Sequence, residues 1–237
     1  MPDSAGQGNR AQTERFVLTN RRGKRIVGLI DYPAGAGPVP AVLAVCHGYG
    51  GDKDGEYLRA IAAVLREAGI AVVRFDFTNA AGESDGMLRD ASVAGYADDL
   101  DDVLDFAARQ PRLAGSRVSI GGHSYAGMVV LAVAARRPGI AAVFFLSAVF
   151  DRTTEFDMPA VAARIGAPIF VVHGERDREV PLAQPEALRR AARDKVAGWT
   201  IIPGADHNYR APGTALALAT TLRDAILALA PAAGSPA

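Results

Sequence analysis

Apolar residues fall along this chain in two alternating rhythms. Short, mainly apolar runs, rich in β-branched residues, occur at Ala41–Cys46, Ile70–Phe75, Val118–Gly121, Ala142–Leu146, Ile169–Val172 and Thr200–Ile202. Between them, apolar residues recur every three or four positions. Glu56–Ala68 carries such a stripe at Leu58, Ile61, Ala62 and Leu65 and stops at Gly69, while Tyr96–Arg109 has Leu100, Val103, Leu104 and Ala107 on one side and acids on the other. Tyr125–Arg136, Ala160–Ile165, Glu186–Asp194 and Leu216–Leu229 read the same way. The first rhythm predicts strands and the second helices. Two further strands, Phe16–Thr19 and Ile26–Tyr32, flank Asn20-Arg21-Arg22-Gly23, a hairpin signal. Strands that lack period-two polarity are buried on both faces. The alternation therefore predicts an α/β chain with eight strands in a mostly parallel sheet and helices on both faces.

No repeat or low-complexity linker interrupts this order, and Ala34–Pro40 reads as a loop between early strands. One domain over residues 14–230 is expected, with flexible tails at 1–13 and 231–237. Composition then narrows the partners. The 237 residues carry 26 Lys+Arg against 26 Asp+Glu. That balance lacks the basic excess of a nucleic-acid binder or a polybasic membrane anchor. A single cysteine, Cys46, rules out an internal disulfide and reads as a buried small hydrophobe. The first fifteen residues are polar, without the apolar core of a secretory leader, so a cytoplasmic location is expected. Asp98, Asp99, Asp101, Asp102 and Asp105 read as the solvated face of a helix rather than a cation site. No metal or cofactor is expected, and assembly state leaves no signal.

In parallel sheets, sites lie at the carboxyl ends of the strands. Ser124 lies there, in Gly122-His123-Ser124-Tyr125-Ala126-Gly127 between a strand and a helix. A sharp strand-to-helix turn exposes a serine Oγ and needs small residues two positions to either side, which Gly122 and Ala126 supply. The plainer alternative is a serine that caps the helix. A serine hydroxyl becomes nucleophilic only when a base takes its proton. Of four histidines, His47 and His173 end strands before a glycine, and His123 adjoins Ser124 on a turn where neighbouring side chains diverge. These three read as buried structural histidines. His207, in the polar loop between the last strand and last helix, is the candidate general base. Asp177, on the loop after Ile169–Val172, is the best candidate to orient the imidazole, with Glu175, Asp151 and Asp206 as rivals. His47-Gly48-Tyr49-Gly50-Gly51 follows the third strand, and its glycines allow close backbone approach. The N–H groups of Tyr49 and Tyr125 are the candidate oxyanion donors. The glycine-rich run lacks the patterns of phosphate-binding loops.

With serine, acid and histidine in that chain order, these motifs resemble the α/β-hydrolase superfamily over roughly Glu14–Leu229. His47-Gly48-Tyr49-Gly50-Gly51-Asp52-Lys53, Arg74-Phe75-Asp76-Phe77 with Gly82-Glu83-Ser84-Asp85-Gly86, and His173-Gly174-x-x-Asp177-x-x-Val180-Pro181 are similar to the cinnamoyl and feruloyl esterase group. The resemblance implies an α/β-hydrolase fold and a cofactor-independent serine hydrolase. Its substrate would be a small acyl ester, cleaved through an acyl-enzyme. Two departures stand out. Asn79-Ala80-Ala81-Gly82 replaces the Asn-Gly-His-Gly turn usual in such esterases. Only Asp151–Ala167 separates the sixth strand from the acid strand, which is too short for a large cap. An open cleft is expected, lidded at most by Phe150, Phe156 and Met158. Phe77, Phe150, Phe156, Met158 and Tyr209 are candidates to line the acyl or alcohol pocket. A thioesterase or peptidase with the same triad, and a catalytically silent receptor or scaffold, are the alternatives.

Overall fold

The computed structural model describes residues 11–229. Strands β1 (Gln12–Thr19), β2 (Arg25–Tyr32), β3 (Ala41–Cys46), β4 (Ala71–Phe75), β5 (Arg117–His123), β6 (Ile140–Leu146), β7 (Ile169–Gly174) and β8 (Val196–Ile202) form one sheet. Its spatial order is β1-β2-β4-β3-β5-β6-β7-β8. The pairings β1–β2 and β2–β4 are antiparallel, and every other neighbouring pair is parallel. β1 begins at Gln12, so Gln12 and Thr13 belong to the sheet rather than to the expected N-terminal tail. They pair with Tyr32 and Asp31. Residues 1–10 of that tail, and the expected tail at 231–237, lie outside the described residues.

Helices α1 (Glu56–Glu67), α2 (Val93–Ala108), α3 (Ala126–Arg136), α4 (Met158–Arg164), α5 (Ala183–Ala192) and α6 (Thr214–Ala228) complete the two outer layers. α1 packs on α6 over one face of the sheet, burying Leu43, Val45 and Phe144 beneath Leu58, Ile61 and Leu222. α2 to α5 cover the other face, over Val73, Ile120, Val143 and Val171. Strands β3 and β4 are buried at every position, which is why β3 reads as an unbroken apolar run and β4 as one broken only by Arg74. α2 starts at Val93, ahead of the expected Tyr96, because two devices cap it. The Ser92 hydroxyl accepts the Gly95 N–H at 3.0 Å, and the Glu155 carboxylate reaches over to accept the N–H groups of Val93 and Ala94, each at 2.9 Å.

The acids of α2 depart from the expected solvated face. Asp99 is fully buried. It accepts from Asn20 Nδ2 at 2.7 Å, Thr78 Oγ1 at 2.6 Å and Arg22 Nη2 at 2.7 Å, and so locks the β1–β2 hairpin to the loop after β4. Asp101 is also buried and pairs with Arg136, the last residue of α3, and with Arg137, which follows it. Asp98 and Asp105 keep substantial contact with solvent, and Asp102, paired with Arg21, is mostly covered. The helix faces two elements that each present paired arginines, and helical periodicity alone does not reveal a polar neighbour. Among the described residues no helix is long and apolar enough to cross a membrane.

Candidate active site

The carboxyl ends of β3, β5 and β7 bring the candidate residues together. β5 ends in Gly121-Gly122-His123, and the chain turns at Ser124 into α3. Ser124 has φ +53°, the left-handed conformation that a strained strand-to-helix turn imposes. The turn is tight enough that a Cβ on Gly122 would collide with the Ala126 carbonyl, which is backbone of the first helical turn. Gly122→Ala is therefore expected to destabilise the protein by about 2–3 kcal/mol. A melting experiment would read this as a fall of roughly 4–12 °C, and an unchanged melting temperature would contradict the tight-turn account.

His207 enters from the loop between β8 and α6. Its Nε2 lies 3.0 Å from Ser124 Oγ, and its Nδ1 donates to Asp177 Oδ2 at 2.8 Å. The carboxylate fixes the tautomer, leaving the Nε2 lone pair directed at the serine hydroxyl. Asp177 follows β7, and its side chain is fully buried. Burial pushes its pKa up, but the bonds from His207 and the N–H groups of Val180 and Glu179 outweigh that and hold it below the ordinary carboxylate value. The rival acids are occupied elsewhere or exposed. Glu175 accepts the Gly204 N–H at 2.8 Å, Asp206 accepts the Arg210 N–H at 2.8 Å, and Asp151 is exposed on the loop after β6.

The loop after β3 supplies the other wall. A Cβ on Gly48 would lie 3.0 Å from Ser124 Cβ and 3.2 Å from His123 Nδ1, so glycine is what lets this loop lie against Ser124. Among the described residues, the N–H groups of Tyr49 and Tyr125 donate to no protein acceptor. Lys53 anchors the far end of the loop. Its N–H and Nζ donate to Asp76 at 2.7 and 3.0 Å, and its carbonyl accepts from Arg74 Nη1 at 2.8 Å. Arg74 and Asp76 stand two residues apart and so share one side of the chain, gripping the carbonyl and the N–H of the same residue.

His47, His123 and His173 are all buried. His47 Nδ1 donates to its neighbour's carbonyl, Gly48 O, at 2.8 Å, and its Nε2 accepts the Phe77 N–H at 3.1 Å. His123 Nε2 donates to His207 O at 2.8 Å, and His173 Nε2 donates to Val180 O at 3.0 Å. These bonds hold the His207 loop and the Asp177 loop in place. Burial depresses all three imidazole pKa values, that of His123 to about 3. In the unfolded chain they titrate near ~6.5. Between those values the unfolded state binds more protons, so this stability is present above pH ~6.5 and is lost as pH falls. His123 alone is expected to remove about 2 kcal/mol at pH 5. Thermal melts at pH 7.5 and pH 5 should show the loss, and a flat melting temperature would contradict it.

The cleft has a volume of roughly 510 Å³ and is lined by His47–Asp52, Gly55–Tyr57, His123, Ser124, Glu179, His207, Asn208 and Arg210. The candidate pocket residues are elsewhere. Phe77 is fully buried and stacks on Tyr96 with ring centroids 4.1 Å apart. Phe150 and Met158, the latter the first residue of α4, are buried in the core on the α2–α5 side of the sheet, and Phe156 is half-buried against the same core. Tyr209 is buried, its hydroxyl donating to Val172 O at 3.2 Å beside Ser147 Oγ at 2.9 Å. The expected pocket lining and lid are thus corrected, because these aromatic and thioether side chains turn into the core. Tyr57, Glu179 and Arg210 carried no sequence signal for the cleft.

The fold has many solved relatives. Est1E from Butyrivibrio proteoclasticus with ferulic acid bound matches at TM-score 0.80 and 19% identity, over 90% of this chain and 98% of that one. A dienelactone hydrolase from Anabaena variabilis matches at 0.74 and 21%, over 92% and 98%. A serine hydrolase without a lid from Xanthomonas campestris matches at 0.75 and 20%, over 95% and 97%. At such identities the likeness is one of fold. No curated protein matches the sequence. The family model described as an alpha/beta hydrolase domain matches residues 39–229, and the chain belongs to that family.

Proposed function

We propose that this protein is a serine hydrolase that cleaves carboxylic esters through an acyl-enzyme. The observation that carries the reading is the continuous chain Ser124 Oγ–His207–Asp177, with links of 3.0 and 2.8 Å. Ser124 Oγ attacks the ester carbonyl while His207 Nε2 takes its proton. The tetrahedral oxyanion is held by the N–H groups of Tyr49 and Tyr125, the latter at the start of α3, where the helix dipole adds positive potential. Collapse breaks the bond to the alcohol oxygen, which leaves with the proton from Nε2. Water, deprotonated by the same nitrogen, then releases the acid and regenerates Ser124. The ferulic acid in Est1E and the lidless serine hydrolase among the structural relatives support an ester substrate and an open cleft.

A fluorophosphonate probe tests the nucleophile directly. It should label the protein at Ser124, and the label should vanish in Ser124→Ala. Persistent labelling of that variant, or none of the wild type, would overturn the reading.

A further inference from the structure

We propose that Glu179 selects the leaving group, favouring esters whose alcohol carries a positive charge, such as quaternary ammonium alkyl esters. The inference deepens the serine-hydrolase reading above and rests on it. In that reaction the departing oxygen collects its proton from His207 Nε2, so it passes within ~3 Å of that atom. Glu179 Oε2 stands 3.8 Å from the same nitrogen. The substituent on the leaving oxygen therefore extends past this carboxylate.

Glu179 is free to act on a substrate. Its side chain is 64% exposed, and among the described residues its only ionic neighbour is His207. Its backbone is nevertheless fixed, because its N–H donates to Asp177 Oδ1 at 2.9 Å. Loop geometry that sets the acid of the triad thus also sets the position of Glu179. An independent feature of the cleft points the same way. The Tyr49 side chain is 55% exposed on the cleft wall, its ring 5.7 Å from that of Tyr125. An open aromatic face and a carboxylate on one cleft suit an alkylammonium group, which gains from both. The remaining charged side chains on the cleft, Asp52, Glu56 and Arg210, leave its net charge negative.

Three acetates with matched alcohols separate charge from shape: choline acetate, its neutral carbon isostere 3,3-dimethylbutyl acetate, and 3-sulfopropyl acetate. All three yield the same acetyl-enzyme, so differences in kcat/KM arise in the acylation step. For a charge about 5 Å from Glu179 in a water-like medium, the cationic ester should exceed the neutral one about fourfold. The anionic ester should fall about fourfold below it. Raising the salt concentration to 1 M should compress the spread. E179Q should narrow the spread to the smaller part that Tyr49 and the other cleft charges sustain, and E179K should reverse the order.

Equal values in the wild-type enzyme overturn the inference and leave the hydrolase reading standing. So does a proportional loss on all three esters in E179Q, which would mark Glu179 as a residue that positions His207. An enzyme that ignores choline acetate while Ser124 still reacts with a fluorophosphonate likewise overturns it. Failure of all three esters together with failure of the probe overturns both readings.

Discussion

Ser124→Ala is expected to lower kcat for p-nitrophenyl acetate by on the order of 10⁶. The variant keeps His207 bonded to Asp177 and keeps the two free N–H groups, but it has no atom on which to hold the acyl group. What remains is water activated by His207 at an intact oxyanion site, a residual acceleration of about 10³–10⁴ over solution. The fold should be untouched. The bonds that make the turn, Ser124 N–H to Leu146 O at 3.1 Å and Val149 N–H to Ser124 O at 2.9 Å, are backbone bonds that alanine preserves. Turnover measured beside a thermal melt separates lost chemistry from lost structure. A variant that turns over like the wild type would remove Ser124 from the mechanism.

Asp177→Asn is expected to cost about 10⁴ in kcat. The hydrogen bonds around the side chain dictate which way the new amide faces. Asp177 Oδ1 accepts the N–H groups of Glu179 and Val180, both at 2.9 Å. Only the carbonyl oxygen of asparagine can keep those bonds, so its NH₂ is forced toward His207 Nδ1. That nitrogen must then accept rather than donate, and the ring proton moves to Nε2. There it points at Ser124 Oγ, and the imidazole can no longer take the serine proton. The measurement is kcat for the variant alongside Asp151→Asn. Loss in the second and not the first would transfer the orienting role to Asp151.

The sheet was legible because parallel strands between two helical layers are apolar on both faces, as β3 is throughout and β4 is but for Arg74. β1 was only half legible. It is an edge strand whose first four residues, Gln12-Thr13-Glu14-Arg15, are exposed and carry no apolar pattern. The start of α2 was missed because half of its cap, Glu155, comes from a loop far away in sequence. Buried Asp99 was missed because its partners Asn20, Arg22 and Thr78 converge on it only after folding. The Ser124, Asp177 and His207 positions could be read from the turn, the strand ends and the chain order, and the structure brings those three side chains together. The pocket could not. Phe77, Phe150, Met158 and Tyr209 follow strands or open helices, where sequence does not say whether a side chain turns to the core or to the cleft.

The chain has four histidines, and all four meet at this one edge of the sheet, with the His123 and His207 rings 4.7 Å apart. Every imidazole resonance in a nitrogen-correlated NMR spectrum therefore reports on a single neighbourhood, without a background of surface histidines. Ligand occupancy, acylation of Ser124 and opening of the Asp177 loop would each perturb that small set of signals. The protein thus carries its own spectroscopic reporter, and substrates can be screened against the native chain with no label attached.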